Sequence, residues 1–400
     1  MASNFSADAS ALGYLFQIRA ALLLFLRQGK EHPDLAISIE KFDDISFEKD
    51  GTPTELIQTK HHINTVASLS DASPDLWKTL RIWSLSIAEK KLDLAEIKLT
   101  LITTSQAPDD SAASKLRSGK RDVENALLIL SNVANSSSNQ SNSEAYKDFL
   151  KLSNDERKRL IDCVIIFDRS PQICDTRSLI LQELTYVTRP EFLESIYQRL
   201  EGWWLNKVIK HLSDAMHKCI LHKELLEQIN DIQVQFTQDN LPIDFWEEVI
   251  LEEEQLSEDQ KIFIEQLRLI VISKPRIQKA ISDYYRAFQQ RSKWVREELL
   301  LDDELGLYEK HLIDEWERQH LKMKEDLSQN PSEEEMQKGG RGVFNWMDGS
   351  ANLNIRPRCT EPFVMRGSYH MLSNELKVGW HVEFYKRLYH LLLKAEGSKV

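Results

Sequence analysis

Ala36-Ile37-Ser38-Ile39-Glu40, Ile45-Ser46-Phe47-Glu48 and, past the turn-forming Asp50-Gly51-Thr52-Pro53, Glu55-Leu56-Ile57-Gln58-Thr59-Lys60 decide the fold of this chain. Each run is short, rich in β-branched or aromatic residues and bounded by turn formers, which predicts three strands, the last two joined through Asp50-Gly51. Upstream, Ser10 as N-cap and an apolar series through Leu12, Leu15, Phe16, Leu22, Leu23 and Leu26, stopped by Gly29, predict a buried helix. Downstream, Pro74 opens an amphipathic helix with Leu76, Leu80, Trp83 and Ile87 on one stripe, and residues 97–104 read as a further strand. The order helix, three strands, helix, strand predicts an α/β domain, a mixed sheet with flanking helices whose strand ends share one edge.

Beyond this region, the Ser- and Asn-rich residues 131–143 predict an exposed linker, because these side chains compete with regular structure through local hydrogen bonds. Residues 163–167 form another candidate strand. From about Arg189 to Leu327 the pattern is helical, with breaks at Pro190 and Pro275 and solvated charge runs such as Glu252-Glu253-Glu254. After Asn330-Pro331 and Gly339-Gly340 a compact aromatic segment follows. The expected division is residues 1–188, then a mainly helical domain or arm at 189–335, then a small C-terminal module at 336–400.

Composition narrows the function classes. An apolar content of 42% over 400 residues suits several folded cores. Neither a cleavable leader nor an apolar run of bilayer length is present, so a cytoplasmic location without a membrane partner is expected. Cys163, Cys174, Cys219 and Cys359 lack the paired spacing of zinc or redox sites, which predicts scattered buried thiols. His211 and His217 receive no role. No GxxxxGK loop cradles a nucleotide phosphate, so any ATP is bound by another subunit. The net charge is -12, of which residues 1–104 contribute only -3. A protein binding DNA by itself normally carries a basic face, so partner subunits or self-assembly must supply one.

The residues suited to chemistry lie on the strands. Side chains alternate, so Gln58 and Lys60 share a face, as do Asp44, Ser46 and Glu48. If the hairpin forms, Asp44 lies across from Gln58 and Lys60, and a carboxylate about 4 Å from an ammonium gains roughly 4 kcal/mol at an effective dielectric near 20. Glu40, ending the first strand, and Gln17, on the first helix, extend the set, with Asp43 beside Asp44. Carboxylate plus lysine suits phosphodiester hydrolysis, in which a divalent ion activates water and a cation steadies the nucleophile. The tripeptide alone is weak, since Gln28-Gly29-Lys30 and Glu96-Ile97-Lys98 repeat it. Its context, an apolar strand one hairpin after an acid-bearing strand, sets it apart. The competing reading makes Asp43, Asp44 and Lys60 ordinary edge charges.

The stretches Gly13-Tyr14-Leu15-Phe16-Gln17, Ser38-Ile39-Glu40-Lys41-Phe42-Asp43-Asp44-Ile45 and Leu56-Ile57-Gln58-Thr59-Lys60-His61-His62 together resemble the PD-(D/E)xK nuclease domain of the DUF4297 type found in bacterial anti-phage effectors. Gly367-Ser368-Tyr369-His370-Met371-Leu372 and Val378-Gly379-Trp380-His381 resemble the C-terminal domain of ABC-three-component systems. The combination is similar to the nuclease subunit of Lamassu defence complexes. The resemblance implies a restriction-endonuclease-like fold and a catalytic set of Asp44, Gln58 and Lys60, with Glu40. It further implies Mg²⁺ or Mn²⁺ on Asp44 and Gln58, Gln17 and Asp43 in support, and double-stranded DNA as substrate. Its implied partners are an SMC-like ABC ATPase that holds the nuclease inactive and a small accessory subunit, with activation by release or homo-oligomerisation. Gln at 58, where Asp or Glu is more usual, removes a negative ligand. Trp380 and His381 are a docking surface on this reading and a turn with a core aromatic on the plain one. A non-catalytic assembly subunit and a cyclic-oligonucleotide-gated nuclease are the alternatives.

Overall fold

The computed structural model describes residues 7–62, 67–119, 121–216, 218–248 and 262–397; His217 and Glu252-Glu253-Glu254 fall outside them. The chain divides into two compact units, Met1–Asp231 and Ile232–Val400.

The first unit contains α1 (Ala7–Gln28), β1 (Ala36–Ile39), β2 (Ile45–Lys49), β3 (Thr52–Lys60), α2 (Pro74–Ala88) and β4 (Lys98–Thr103). Then come α3 (Ala112–Lys115), α4 (Val123–Ser136), α5 (Ser143–Lys151), α6 (Asn154–Cys163), β5 (Val164–Phe167), α7 (Ile173–Glu183), α8 (Leu193–Ser213) and β6 (Ile220–Leu221). The division between units falls within α9 (His222–Val234).

Among the described residues the strands form one sheet in the order β5-β4-β3-β2-β1-β6. β1, β2, β3 and β6 pair antiparallel, whereas β4 runs parallel to β3 and to β5. The sheet is therefore mixed, as the element order predicts. The β2–β3 hairpin closes through Asp50 and Gly51, both left-handed at φ 51° and 78°, the two-residue turn whose twist suits a hairpin. Pro53 is tolerated because it precedes the part of β3 that pairs with β4, which starts at Glu55.

α1 packs Ala21, Leu22 and Phe25, all fully buried, with Phe25 against Phe47 of β2 and Trp204 of α8. α2 buries Leu76, Trp77, Leu80 and Trp83 in the cluster that includes Leu56, Leu99 and Leu101 of the sheet.

Three sequence expectations change. Residues 131–143 are mostly ordered: α4 runs to Ser136 and a 3₁₀ turn covers Gln140–Asn142. The Asp122 carboxylate caps α4 and its Ala126, Leu130 and Ala134 are buried, which outweighs the weak helix propensity of Ser and Asn. Of the four thiols only Cys359 is buried, and Cys174 is exposed. The compact units divide after Asp231 and not at 188 or 335, because β6 joins the sheet through β1 and α8 packs on α1 and β1.

The second unit holds α10 (Ile262–Leu269), α11 (Lys274–Arg296), α12 (Glu304–Asp326), α13 (Glu333–Gly349), α14 (Pro362–Asn374) and α15 (Phe384–Gly397). One core runs through all six helices, from Phe263 through Tyr284, Leu312 and Phe344 to Tyr369 and Leu388, so the residues after 335 are not a separate module. Gly367 lets α14 close on α11: a Cβ there would lie 2.1 Å from the Asp283 carbonyl oxygen.

Candidate active site

β1 ends at Ile39, and Glu40 turns the chain with a left-handed φ of 57°, costly for a residue with a Cβ and a feature that clusters at functional sites. The Glu40 N–H donates to the Asp44 carbonyl oxygen at 3.2 Å, closing a five-residue loop that places Asp43 and Asp44 at the start of β2. His211 of α8 clamps the base of this loop, its Nε2 accepting the Ile39 N–H at 3.1 Å while its Nδ1 donates to the Lys218 carbonyl oxygen at 2.8 Å. That is a structural role, which the sequence left unassigned.

Strand alternation brings Gln58 and Lys60 to the same place. Lys60 Nζ donates to Gln58 Oε1 at 2.7 Å and lies 3.9 Å from Asp44 Oδ2. Gln58 Nε2 donates to Asp44 Oδ1 at 2.9 Å and also to Asp43 Oδ1. Asp44 Oδ2 accepts the Thr59 N–H at 2.8 Å and the Thr59 hydroxyl at 3.2 Å. Asp44 and Lys60 are each about one-fifth exposed, so the pair is neither sealed from solvent nor free in it.

Gln17 of α1 donates to Glu40 Oε1 at 2.9 Å and to the Asp44 carbonyl at 2.6 Å. Glu40 thus connects to the cluster through Gln17. The six residues singled out in the sequence around this site, Gln17, Glu40, Asp43, Asp44, Gln58 and Lys60, form one hydrogen-bonded group.

Asp43 is buried behind Gln58, where Trp83 Nε1 donates to its Oδ2 at 2.8 Å. Burial pushes its carboxyl above the ordinary carboxylate range, while the hydrogen bonds from Gln58 and Trp83 pull it down. Sequence reasoning placed Trp83 only in a packing stripe and gave Thr59 no part. The signal available was that a buried indole N–H needs an acceptor.

Mg²⁺ takes oxygen ligands and is commonly held by one or two carboxylates, with water and phosphate completing the shell. The Asp44 carboxylate and Gln58 Oε1, beside Lys60, are oxygen donors of that kind. Among the described residues no three His, Cys, Asp or Glu side chains are grouped to cage an ion. Two oxygen donors leave most of the coordination shell of a divalent ion to water or phosphate.

Trp380 and His381 lie in the other unit and are both fully buried. The Trp380 ring packs against Phe344 and Tyr369, and Gly379 offers its carbonyl to Trp316 Nε1 at 2.8 Å. They form a turn with a core aromatic and present no docking surface, because a large ring between two helices removes more apolar area from water than it would at the surface.

Among the described residues no helix is long and apolar enough to cross a membrane. No curated protein matches the chain. Residues 263–388, which contain both C-terminal stretches singled out in the sequence and reach from α10 into α15, match the family described as CTD7, C-terminal domain 7 of the ABC-three component (ABC-3C) systems. What is similar is thus the C-terminal part of the chain, within the second unit.

Proposed function

We propose that the first unit is a Mg²⁺- or Mn²⁺-dependent DNA endonuclease, serving as the cutting subunit of an ABC-three-component complex directed against phage or plasmid DNA. The observation that carries this reading is the meeting of Asp44, Gln58 and Lys60 at the ends of β2 and β3, with Lys60 Nζ 2.7 Å from Gln58 Oε1 and 3.9 Å from Asp44 Oδ2. Asp44 and Gln58 Oε1 would hold the ion, with Glu40 joined to them through Gln17. When bound, a divalent ion lowers the pKa of water and offsets charge on a phosphodiester. Lys60 would place its ammonium to orient an attacking water and to face phosphate charge. Thr59 fixes the Asp44 carboxylate by two hydrogen bonds, and Gln17 ties Glu40 to the loop that carries Asp44.

An SMC-like ATPase that restrains the nuclease, a small accessory subunit and homo-oligomerisation on activation belong to the same reading. They suit a chain of net charge -12, which needs positive surface from elsewhere to hold duplex DNA. A non-catalytic assembly subunit is the second reading, favoured by the absence, among the described residues, of a three-carboxylate or histidine cluster. Plasmid DNA incubated with the purified chain and Mg²⁺, alone and with its partner subunits, separates the two. Nicking that EDTA stops supports the nuclease; intact plasmid in every arm supports the assembly subunit.

A further inference from the structure

Gln58 stands where an acid would give the site a second negative ligand. We propose that Asp43 carries that charge one layer behind the site, and that Asp43 and Gln58 act as one unit in which the buried carboxylate fixes which end of the amide faces the reacting centre. The catalytic consequence rests on the nuclease reading; the pairing itself does not.

An ionised carboxylate only accepts hydrogen bonds, an ammonium only donates, and a primary amide does one at each end. Both hydrogens of Gln58 Nε2 are used on carboxylates, one on Asp43 Oδ1 and one on Asp44 Oδ1 at 2.9 Å, and Oε1 accepts from Lys60 at 2.7 Å. Turning the amide over would set its oxygen against two carboxylates and its NH₂ against the ammonium. Three contacts of like polarity in a half-buried site forbid that state. This network logic is what distinguishes amide oxygen from nitrogen.

Asp43 is held as firmly as it holds. Its Oδ2 accepts from Trp83 Nε1 at 2.8 Å, its Oδ1 also accepts the Asp44 N–H at 3.0 Å, and only 8% of the residue is exposed. The group thus contains two acids and one cation around Gln58, as a site with an acid at 58 would contain around a neutral residue at 43. Asp43 is buried and acts through Gln58 and the Asp44 N–H, so it is a positioning residue.

The test exchanges the acid between the two positions in the full chain: wild type, Gln58→Glu, Asp43→Asn and the double variant, each measured for Mg²⁺-dependent nicking (kcat and KM) and for Tm in metal-free buffer. Gln58→Glu crowds three carboxylates at 43, 44 and 58, and loses roughly tenfold or more in kcat with a lowered Tm. Asp43→Asn also loses roughly tenfold in kcat, with KM changed less than about twofold. The double variant, in which an amide at position 43 donates to a carboxylate at position 58, recovers roughly tenfold in kcat over Gln58→Glu and melts above it. A double variant no better than Gln58→Glu in both readouts overturns the pairing, as does Asp43→Asn with wild-type kcat. If wild type cuts no DNA, the nuclease reading falls and the melting temperatures decide the pairing: a double variant melting above Gln58→Glu supports it, and one melting at or below it does not.

Discussion

The polar group at the ends of β2 and β3 and the aromatic core of the second unit contain the same kinds of side chain under opposite rules. Around Asp44, the polar heads of the site have directed partners: Trp83 donates to Asp43, Gln58 bridges Asp43, Asp44 and Lys60, and Thr59 fixes Asp44. In the second unit Trp380 Nε1 and His370 Nδ1 are buried among rings with no hydrogen-bond partner among the described residues. The first group is held by direction and charge, and it reaches solvent. The second is held by area and volume, and it does not. A Trp or His beside a recognisable motif is therefore no sign of a binding surface until its exposure is known.

The contrast can be broken or sharpened by substitution. Trp380→Ala has the largest expected effect on stability, about 3–5 kcal/mol, because the cavity left between Phe344 and Tyr369 is deep in the core. Chemical denaturation checks it; a loss below about 1 kcal/mol would mean the ring is not a core element.

Acid comes next. Burial holds the imidazoles of His320 and His370 down to about 4, so both stay neutral in the fold where the unfolded chain is protonated. Their contribution is fully present above pH 6.5 and is lost as pH falls toward 4, on the order of 3 kcal/mol each. Unfolding followed from pH 7 to pH 4 should show that loss, and His370→Leu should flatten it.

Two glycines of α13 should respond with opposite signs. A Cβ on Gly340 would lie 2.5 Å from Ile270 Cγ2 and 2.9 Å from the Trp380 carbonyl oxygen, so Gly340→Ala costs about 1–3 kcal/mol. Nothing lies within 4 Å of a Cβ at Gly342, so Gly342→Ala gains up to about 1 kcal/mol from helix propensity. Equal shifts in Tm would remove the packing argument. On the directional side the smallest effect is Glu40→Gln, which keeps the side-chain length and an acceptor for Gln17 while removing one charge. Cleavage should fall roughly tenfold or less, about 1.4 kcal/mol at most.

The sheet was legible because alternation, the Asp50-Gly51 turn and the Pro74 helix start are local signals that agree with one another. β6 was not, since two residues, Ile220 and Leu221, leave no periodicity to read. Residues 131–143 misled because composition was weighed without the Asp122 cap and the buried Ala126, Leu130 and Ala134 that hold α4. At the site, the nearness of Asp44 to Lys60 followed from strand register, which pairs Ile45 with Ile57. The link from Trp83 to Asp43 spans forty residues and depends on how α2 lies on the sheet, which no local pattern encodes.

Plasmid cleavage in Mg²⁺ by wild type and Lys60→Ala, at equal concentration and with matched circular dichroism and Tm, tests the nuclease assignment most directly. The predicted result is cutting by wild type that falls roughly 10²–10³-fold in the variant with the fold unchanged. Undiminished cutting by a folded Lys60→Ala protein would contradict the assignment of the centre to Asp44, Gln58 and Lys60.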